Sequence, residues 1–492
     1  MQLANVALQR WRTLPFPFQV CLDPTMKHKA LVTLLAPACW SGVREATTFG
    51  AICPQRPVEQ GKPNDPNAPV QGDEDCLTLN VWAPADATVR ASQPRPVMVF
   101  IHGGGNIQGA GSESAYDGTV LAESGGVVLV TFNYRLGPLG FLAHPALTAE
   151  RAERASGNLG ILDQIAALSW VKRNIAAFGG DPGRVMIFGE SAGGVNTCTL
   201  VASPRAAGLF HGALVQSGGC VGNRALADAE TFGQTVAQAA GCATGDVAAC
   251  LRSKTAAALI DAGPANGINN LNLGPADCGP IVDGFVLTQV PFNAILAGKH
   301  NKVPLIFGAN EDETNLMVGA SPKTAIEYAT VLSEFFGPTL GAKVLAQYPA
   351  SRFPTPRAAA VAVTSDYRFI CPVGPYVQAA LDGGSPSAFR YFFTKSRDVS
   401  PTAALFGAFH GLELGFLFHT MKMPTVTESA LSNAMLGYWT RFAATGDPNG
   451  GGAPVWPTAK KGSDPYLELG TTVAAKEGVR VSDCAFWETA LK

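Results

Sequence analysis

The sequence contains few charged residues, and the two signs nearly balance. Only 15% of its 492 residues are Asp, Glu, Lys or Arg, whereas an average globular protein has about 25%. A protein that binds nucleic acid normally carries an excess of basic residues to neutralise phosphates. Here 36 basic residues stand against 38 acidic ones. This balance argues against a nucleic-acid partner.

Long apolar runs are also missing. A membrane-spanning helix needs about 18 or more consecutive apolar residues. Segments such as Val127–Phe132 have only the length of a strand and are flanked by Gly or polar residues. We therefore expect no membrane span. Hydrophobic residues nevertheless make up 47% of the chain, which argues against disorder and indicates a large globular protein.

The eleven cysteines include no Cys-x-x-Cys pair. This absence argues against zinc ribbons and thioredoxin-like redox motifs. Because eleven is an odd number, at least one thiol stays unpaired within the chain whatever the connectivity. Spacing alone does not show whether the others form disulfides or are buried as small hydrophobic side chains.

Strand-like and helix-like segments alternate along the chain. Apolar residues at helical spacing over Asn158–Phe178, followed by two glycines, predict a helix. Short apolar runs bounded by Gly, Pro or polar residues predict strands. The predicted strands are Leu77–Trp82, Val97–Ile101, Val127–Phe132, Val185–Phe188, Ala213–Gln216, Leu305–Gly308 and Phe389–Phe393. This alternation predicts an α/β fold with a mostly parallel central sheet covered by helices on both faces.

The clearest chemical motif is Gly189–Gly193, which reads Gly-Glu-Ser-Ala-Gly and lies between a predicted strand and a predicted helix. It has the Gly-x-Ser-x-Gly form of a nucleophile elbow. Glycine on both sides of Ser191 removes Cβ atoms that would clash in the tight turn. The serine Oγ is then exposed at the carboxyl end of the sheet. Ser191 is therefore the candidate nucleophile.

A second motif, His102–Gly105, reads His-Gly-Gly-Gly and follows the predicted strand Val97–Ile101. Glycines lack side chains and so allow backbone amides to face a ligand. In α/β-hydrolases such a run supplies part of the oxyanion hole, and the amide that follows the nucleophile supplies the rest. The candidate oxyanion donors are Gly104, Gly105 and Ala192.

A serine nucleophile needs a base, and the base needs an acid that orients it. In this fold class the base is a histidine that follows the serine and the acid in the chain. Among the four later histidines, His410 is the candidate because the sequence Gly-Ala-Phe-His-Gly around it is typical of a loop. The residues alone leave the acid open, since Glu311, Asp312 and Glu313 all follow the predicted strand Leu305–Gly308.

From about Trp40 to the C-terminus, the sequence resembles the type-B carboxylesterase/lipase family. The segments that carry this resemblance are Trp40–Val43, Glu74–Val81, Asn133–Gly137, Gly157–Gln164, Phe178–Pro182, Gln216–Gly218, Pro280–Gly284 and Thr445–Pro448. The resemblance implies an α/β-hydrolase fold with large loop and helical insertions. It also implies a serine carboxylic-ester hydrolase that acts on small-molecule esters through an acyl-enzyme, without a metal or an organic cofactor.

The resemblance implies roles for individual residues as well. The family pattern Gly-x-x-x-Asp-Glu-Gly makes Glu313 the catalytic acid, although Thr314 stands where the family has glycine. Glu190 lies next to the nucleophile, and we expect it to be a supporting acid near His410. Asn106 stands where an aromatic residue is common, which predicts a more polar mouth of the pocket.

Three disulfides are implied by the same resemblance: Cys53–Cys76, Cys242–Cys250 and Cys371–Cys484. Disulfides persist in oxidising compartments, so these pairs predict a secreted or periplasmic protein. A further pair between Cys220 and Cys278 is a weaker hypothesis, and Cys198 is expected to be a buried thiol. The partners of Cys21 and Cys39 and the oligomeric state, monomer or homodimer, stay open.

Residues 1–39 depart from the family pattern. Members normally begin with a short hairpin and a Gly-Ile-Pro-Tyr-Ala segment, and neither is found here. Instead, three basic residues precede the apolar stretch Ala30–Ala38, which resembles a signal peptide placed inside the chain and not at Met1. We therefore expect an atypical segment over 1–39, poorly packed against the core, and a single α/β-hydrolase domain over 40–492.

Two other functions are compatible with the same scaffold. A cholinesterase-like recognition or adhesion module would be catalytically silent, and such modules lack the serine that is present here. An amidase or peptidase would use the same three residues. The loop between Cys53 and Cys76 contains no Trp, so the choline-binding aromatic of cholinesterases has no counterpart there. Neither the natural ester nor its acyl chain length can be read from the sequence.

Overall fold

The computed structural model of the protein describes residues 46–56, 68–84, 93–263 and 278–491. In these ranges the strands form one nine-stranded sheet with the order β1-β3-β2-β4-β5-β6-β7-β8-β9. The strands are β1 (Leu79–Trp82), β2 (Arg95–Ile101), β3 (Val128–Phe132), β4 (Gly180–Glu190), β5 (Gly212–Gln216), β6 (Leu305–Asn310), β7 (Ala388–Phe393), β8 (Pro465–Leu469) and β9 (Val473–Glu477). Only the β1–β3 and β8–β9 pairs are antiparallel. The predicted mostly parallel sheet is confirmed.

Helices fill the connections between the strands. They are α1 (Thr119–Glu123), α2 (Gly137–Phe141), α3 (Pro145–Ala149), α4 (Leu159–Asn174), α5 (Ala192–Ala202), α6 (Leu226–Ala239), α7 (Val247–Ser253), α8 (Ala256–Ala262), α9 (Pro291–Leu296), α10 (Ala325–Gln347), α11 (Pro356–Ser365), α12 (Cys371–Asp382), α13 (Pro401–Ala404), α14 (Leu412–Leu417), α15 (Val426–Thr445) and α16 (Val481–Ala490). Short 3₁₀ turns cover Ser114–Tyr116, Ile175–Phe178, Pro204–Ala206 and Ala350–Arg352. The helix expected over Asn158–Phe178 is found as α4 and the 3₁₀ turn that follows it. Within the described ranges, no helix combines the length and the apolar character that a bilayer crossing requires.

The sheet is buried on both faces, which explains why its central strands are continuous apolar runs. Successive side chains of a strand point to opposite faces. In β2, Val97 and Val99 pack with α4, α5 and α12 on one face. Met98 and Phe100 pack with α1 and α15 on the other. Because both layers are apolar, the site for polar chemistry is confined to the edge of the sheet where the parallel strands end.

Strands β8 and β9 were not predicted. They carry charged residues such as Glu468 and Lys476, and β9 is only partly covered. Strand β9 lies at the edge of the sheet, and β8 is interrupted by Glu468, so neither has the continuous apolar run that marked the inner strands.

Four disulfides link the described part of the chain: Cys53–Cys76, Cys198–Cys220, Cys242–Cys250 and Cys371–Cys484. Three of them are the pairs implied by the resemblance. The expectation for Cys198 and Cys220 was wrong, because these two bond to each other: α5, which carries Cys198, packs beside the end of β5, just before Cys220. Cys278 is buried and is not the partner of Cys220. Cys21, Cys39 and the expected N-terminal segment 1–39 lie outside the described residues.

Candidate active site

Ser191 lies in a strained turn between the last residue of β4 and the first residue of α5. Its backbone has φ 58° and ψ −124°, a region that residues other than glycine rarely adopt. Such conformations persist where surrounding contacts impose them, often at functional sites. Here the Ser191 N–H donates to the Gln216 carbonyl at 2.9 Å, and the Val195 N–H donates to the Ser191 carbonyl at 3.0 Å. The side chain of Ser191 is only partly buried.

The two glycines of the elbow are required by close packing. A Cβ atom on Gly189 would lie 2.5 Å from the Gly193 carbonyl, and one on Gly193 would lie 2.0 Å from the Ile101 carbonyl oxygen. Both distances are far below van der Waals contact. The motif therefore allows β2, β4 and α5 to approach closely enough to form the turn.

The glycine run packs directly against Ser191. A Cβ on Gly103 would lie 3.2 Å from the Ser191 Cβ. Gly104 and Gly105 follow with φ 98° and 64°, values that glycine adopts readily. Ala192 is the first residue of α5, so its N–H has no acceptor within the helix. The three candidate oxyanion donors thus belong to the two segments that meet at Ser191.

His410 and Glu313 are in direct contact. The His410 Nδ1 atom lies 2.6 Å from Glu313 Oε2, and the fully buried Glu313 also accepts a hydrogen bond from the Asn310 N–H at 2.7 Å. The other two acids of the loop have different partners. Asp312 accepts a hydrogen bond from the Ala408 N–H at 3.0 Å, and Glu311 lies 3.5 Å from Arg480.

Thr314, where the family has glycine, is buried and well bonded. Its hydroxyl contacts the Val361 carbonyl at 3.1 Å and the Thr364 hydroxyl at 2.6 Å. Its N–H donates to the Ser365 hydroxyl at 3.1 Å. The threonine therefore ties the acid loop to α11, and this departure from the pattern leaves Glu313 in contact with His410.

The second nitrogen of the imidazole faces Glu190. His410 Nε2 lies 3.2 Å from Glu190 Oε1, and neither atom forms a hydrogen bond with a described residue. Burial disfavours the imidazolium, but the carboxylates of Glu190 and Glu313 outweigh it and raise the pKa of His410 above its ordinary value. Burial also raises the pKa of Glu190, against the influence of His410. The charges on the imidazole and on Glu190 therefore influence each other's pKa.

A sequence model described as "Carboxylesterase family" matches residues 35–487, a range that includes every residue of this site. The chain belongs to the carboxylesterase family. The expectation of an enzyme that hydrolyses carboxylic ester bonds is confirmed at this level.

Known proteins support the same assignment along nearly the whole chain. Carboxylesterase 1D of Rattus norvegicus is 33% identical over 91% of this chain and 84% of its own length. Fumonisin B1 esterase of Sphingopyxis macrogoltabida is also 33% identical, over 91% of this chain and 81% of its own length. Among solved structures, PNB esterase superimposes with a TM-score of 0.77 at 30% identity and covers 95% of each chain. The expected α/β-hydrolase fold is confirmed.

Sequence reasoning missed a third buried carboxylate at this carboxylesterase site. Glu413, on α14, accepts hydrogen bonds from Gln216 Nε2 at 3.0 Å and from Asn310 Nδ2. Asn310 Nδ2 also donates to the Phe409 carbonyl at 2.9 Å. This network joins the ends of β5 and β6 to the His410 loop. Its one signal in the sequence is the position of Glu413, a single helical turn after His410.

A π-helical turn, Asp366–Ile370, was also missed. Such turns are rare and occur frequently at functional sites. This one places the Phe369 ring 5.0 Å from the His410 ring, measured between centroids. The Cys371–Cys484 disulfide follows directly and links the segment to α16. Apolar spacing gave no sign of the turn, because α11 and α12 continue on either side of it.

Asn106 does not supply the polar pocket mouth that was expected of it. Its side chain is buried, and its Oδ1 accepts a hydrogen bond from Asn196 Nδ2 at 2.8 Å. Its backbone has φ 59°, a conformation that Asn tolerates better than most residues. Asn106 therefore connects the glycine run to α5.

Proposed function

We propose that the protein hydrolyses small carboxylic esters through an acyl-enzyme on Ser191, with His410 as the general base and acid and Glu313 as the orienting acid. The observation that carries the proposal is the 2.6 Å contact between His410 Nδ1 and the buried Glu313 carboxylate. A carboxylate in this position keeps the proton on Nδ1 and leaves the lone pair on Nε2. Nε2 is the atom that faces the nucleophile elbow, where Glu190 precedes Ser191.

In the first half of the reaction, Nε2 accepts the hydroxyl proton of Ser191 while Oγ attacks the ester carbonyl. Nε2 has no hydrogen-bond partner among the described residues, so its hydrogen bond with the Ser191 hydroxyl has to form when the substrate binds. The imidazolium then gives its proton to the leaving alcohol. Water repeats the sequence on the acyl-enzyme and releases the acid. Glu313 stabilises the imidazolium in both halves without itself taking the proton.

The tetrahedral intermediates carry a negative oxygen that needs hydrogen-bond donors. The amides of Gly104, Gly105 and Ala192 supply them, because they lie on the two segments that meet at Ser191. A donor of this kind typically contributes about 3 kcal/mol to the stability of the transition state. The N-terminus of α5 adds a partial positive charge on the same side.

Covalent labelling tests the nucleophile. A fluorophosphonate probe should modify the wild-type protein at Ser191, and Ser191→Ala should abolish labelling and lower kcat by about 10⁶-fold, as in other triad enzymes. Ser253→Ala, which changes an exposed serine, should leave both unchanged. Ester turnover by Ser191→Ala near the wild-type rate would reject the mechanism. Absence of labelling in the wild-type protein would favour a silent recognition module.

Matched amide substrates test the remaining alternative. The same triad cleaves amides in other enzymes, so each ester should be assayed beside the amide of the same acid. We expect kcat/KM to be larger for the ester. The opposite order would identify an amidase.

We further infer that the protein works in an oxidising compartment, as a secreted or periplasmic enzyme. The support is the set of four disulfides, since such bonds are rare where thiols are kept reduced. The protein should be taken from its native cells, alkylated without prior reduction and analysed by mass spectrometry. These eight cysteines should stay unmodified by the reagent, because a disulfide-bonded sulfur does not react with it. Free thiols at those positions would contradict the assignment.

A further inference from the structure

Arg368 is a charged residue beside the proposed active site that the mechanism leaves unused. It lies on the π-helical turn Asp366–Ile370, and its guanidinium carbon is 5.4 Å from the centre of the Phe369 ring. The same ring lies 5.0 Å from the His410 imidazole, measured between centroids. The Phe369 ring therefore contacts both the guanidinium and the proposed catalytic base.

Several other arginines of the chain, buried or partly buried, are paired with carboxylates, and Arg368 is not. Arg480 lies 2.8 Å from Asp366 on the same turn, and Arg397 lies 3.0 Å from Glu428. Arg390 pairs with Asp464. Across the ranges that the structure describes, no carboxylate lies within ion-pair distance of Arg368, which is exposed. The guanidinium of Arg368 can therefore form an ion pair with an anionic ligand.

The guanidinium is exposed to solvent, but protein atoms are packed close enough to it to affect its pKa. Burial by the surrounding protein lowers the pKa of Arg368, although the side chain is open to solvent. Tyr367 and the fully buried Glu313 act in the opposite direction. Arg368 is thus close enough to the active site to interact with its charges. Contact with the Phe369 ring also restricts the guanidinium before any ligand arrives.

We propose that Arg368 determines specificity by binding a free carboxylate of the substrate. The preferred substrates are then esters that carry an anionic group near the scissile bond, such as half-esters of dicarboxylic acids. A guanidinium forms two parallel hydrogen bonds with a carboxylate, and a neutral chain of the same length offers neither. This inference rests on the proposed function, because it assigns the substrate class of the same site.

Two matched pairs of esters test the assignment on the purified protein. Monoethyl adipate and ethyl hexanoate differ in a carboxylate at the end of the acyl chain. 6-Acetoxyhexanoate and hexyl acetate differ in the same group on the alcohol side. We expect the wild-type enzyme to prefer the anionic member of one pair, and that pair identifies the side of the ester that Arg368 faces.

Arg368→Gln should lower kcat/KM for that anionic ester by about 10- to 100-fold, the range of a lost charge-assisted hydrogen bond. The neutral partner should change by less than about twofold, since it makes no such bond. Arg368→Lys keeps the charge and should restore part of the preference. Arg173→Gln, which removes an exposed arginine from the last turn of α4, should change neither ester.

The outcomes separate the two proposals. If Arg368→Gln lowers kcat/KM equally for both members of each pair, or leaves the anionic-to-neutral ratio of kcat/KM unchanged, the role of Arg368 is overturned. The esterase mechanism stays intact in either case. No hydrolysis of any of the four esters by the wild-type enzyme would overturn both. Added salt should reduce the wild-type preference for the anionic ester. If salt does not change the wild-type ratio of kcat/KM between the anionic and the neutral ester, the inference is contradicted. This test holds even if Arg368→Gln does not fold.

Discussion

The two halves of the proposed active site are held in place by different forces. The nucleophile half, around Gly103 and Gly189–Gly193, depends on backbone packing so tight that a single added methyl group would overlap other atoms. The acid–base half, around Glu313 and His410, depends on buried side chains that carry charge or hydrogen bonds. Steric overlap does not depend on pH, whereas buried charges do. Substitutions in the first half should therefore disrupt the turn at Ser191 at every pH. Substitutions in the second half should alter the catalytic rate and its dependence on pH.

Gly193→Ala should have the largest effect on the nucleophile half. The new Cβ would lie 2.0 Å from the Ile101 carbonyl oxygen, so β2 and α5 must separate. We expect a loss of about 3 kcal/mol or more in the free energy of unfolding, as for other overpacked buried sites, together with loss of activity at every pH. Chemical denaturation and a pH–rate profile measure both. Gly319→Ala is the matched control, because no atom lies within 4 Å of the added Cβ. Normal stability and activity of Gly193→Ala would show that the elbow is not sterically constrained.

Glu313→Gln should have the largest effect on the acid–base half. It keeps the size of the side chain and removes the charge that stabilises the imidazolium, so kcat should fall by about 10³- to 10⁴-fold while the protein stays folded. Asp312→Asn provides the control, because an amide oxygen can still accept the Ala408 N–H. Single-turnover kinetics with a chromogenic ester measures the chemical step. If Asp312→Asn were the more damaging change, the assignment of the acid would be wrong.

Glu190→Gln should have a smaller effect, seen mainly in the pH profile. The imidazolium cannot act as a base, so kcat/KM rises as the pH increases through the pKa of His410. Glu190, Glu313 and Glu413 all raise that pKa. Removal of one negative charge lowers it, and the acidic limb of the profile should move to lower pH by about one unit. Glu468→Gln on β8 is the control and should not move it. A shift to higher pH would contradict the electrostatic account.

The sequence was a good guide wherever a local pattern was sufficient. The inner strands are apolar because both faces of the sheet are buried, and the helix over Asn158–Phe178 follows from spacing. Ser191 could be selected because the turn around it has no room for Cβ atoms, and the glycines on both sides show this in the sequence. The candidate acid could not be selected in this way. Glu311, Asp312 and Glu313 are consecutive, and only the family resemblance chose among them before the structure showed which one contacts His410.

The sequence alone determined the fold class, the nucleophile motif and the glycine run, because each depends on residues that are neighbours in the chain. Tertiary structure decided the rest. Glu313 and His410 are 97 residues apart, and Gln216 and Glu413 are 197 apart. The pairing of Cys198 with Cys220 likewise depends on how α5 packs beside β5. The charge, burial and accessibility of these groups are properties of the packed interior, and contacts between distant segments create that interior only when the whole sheet has formed.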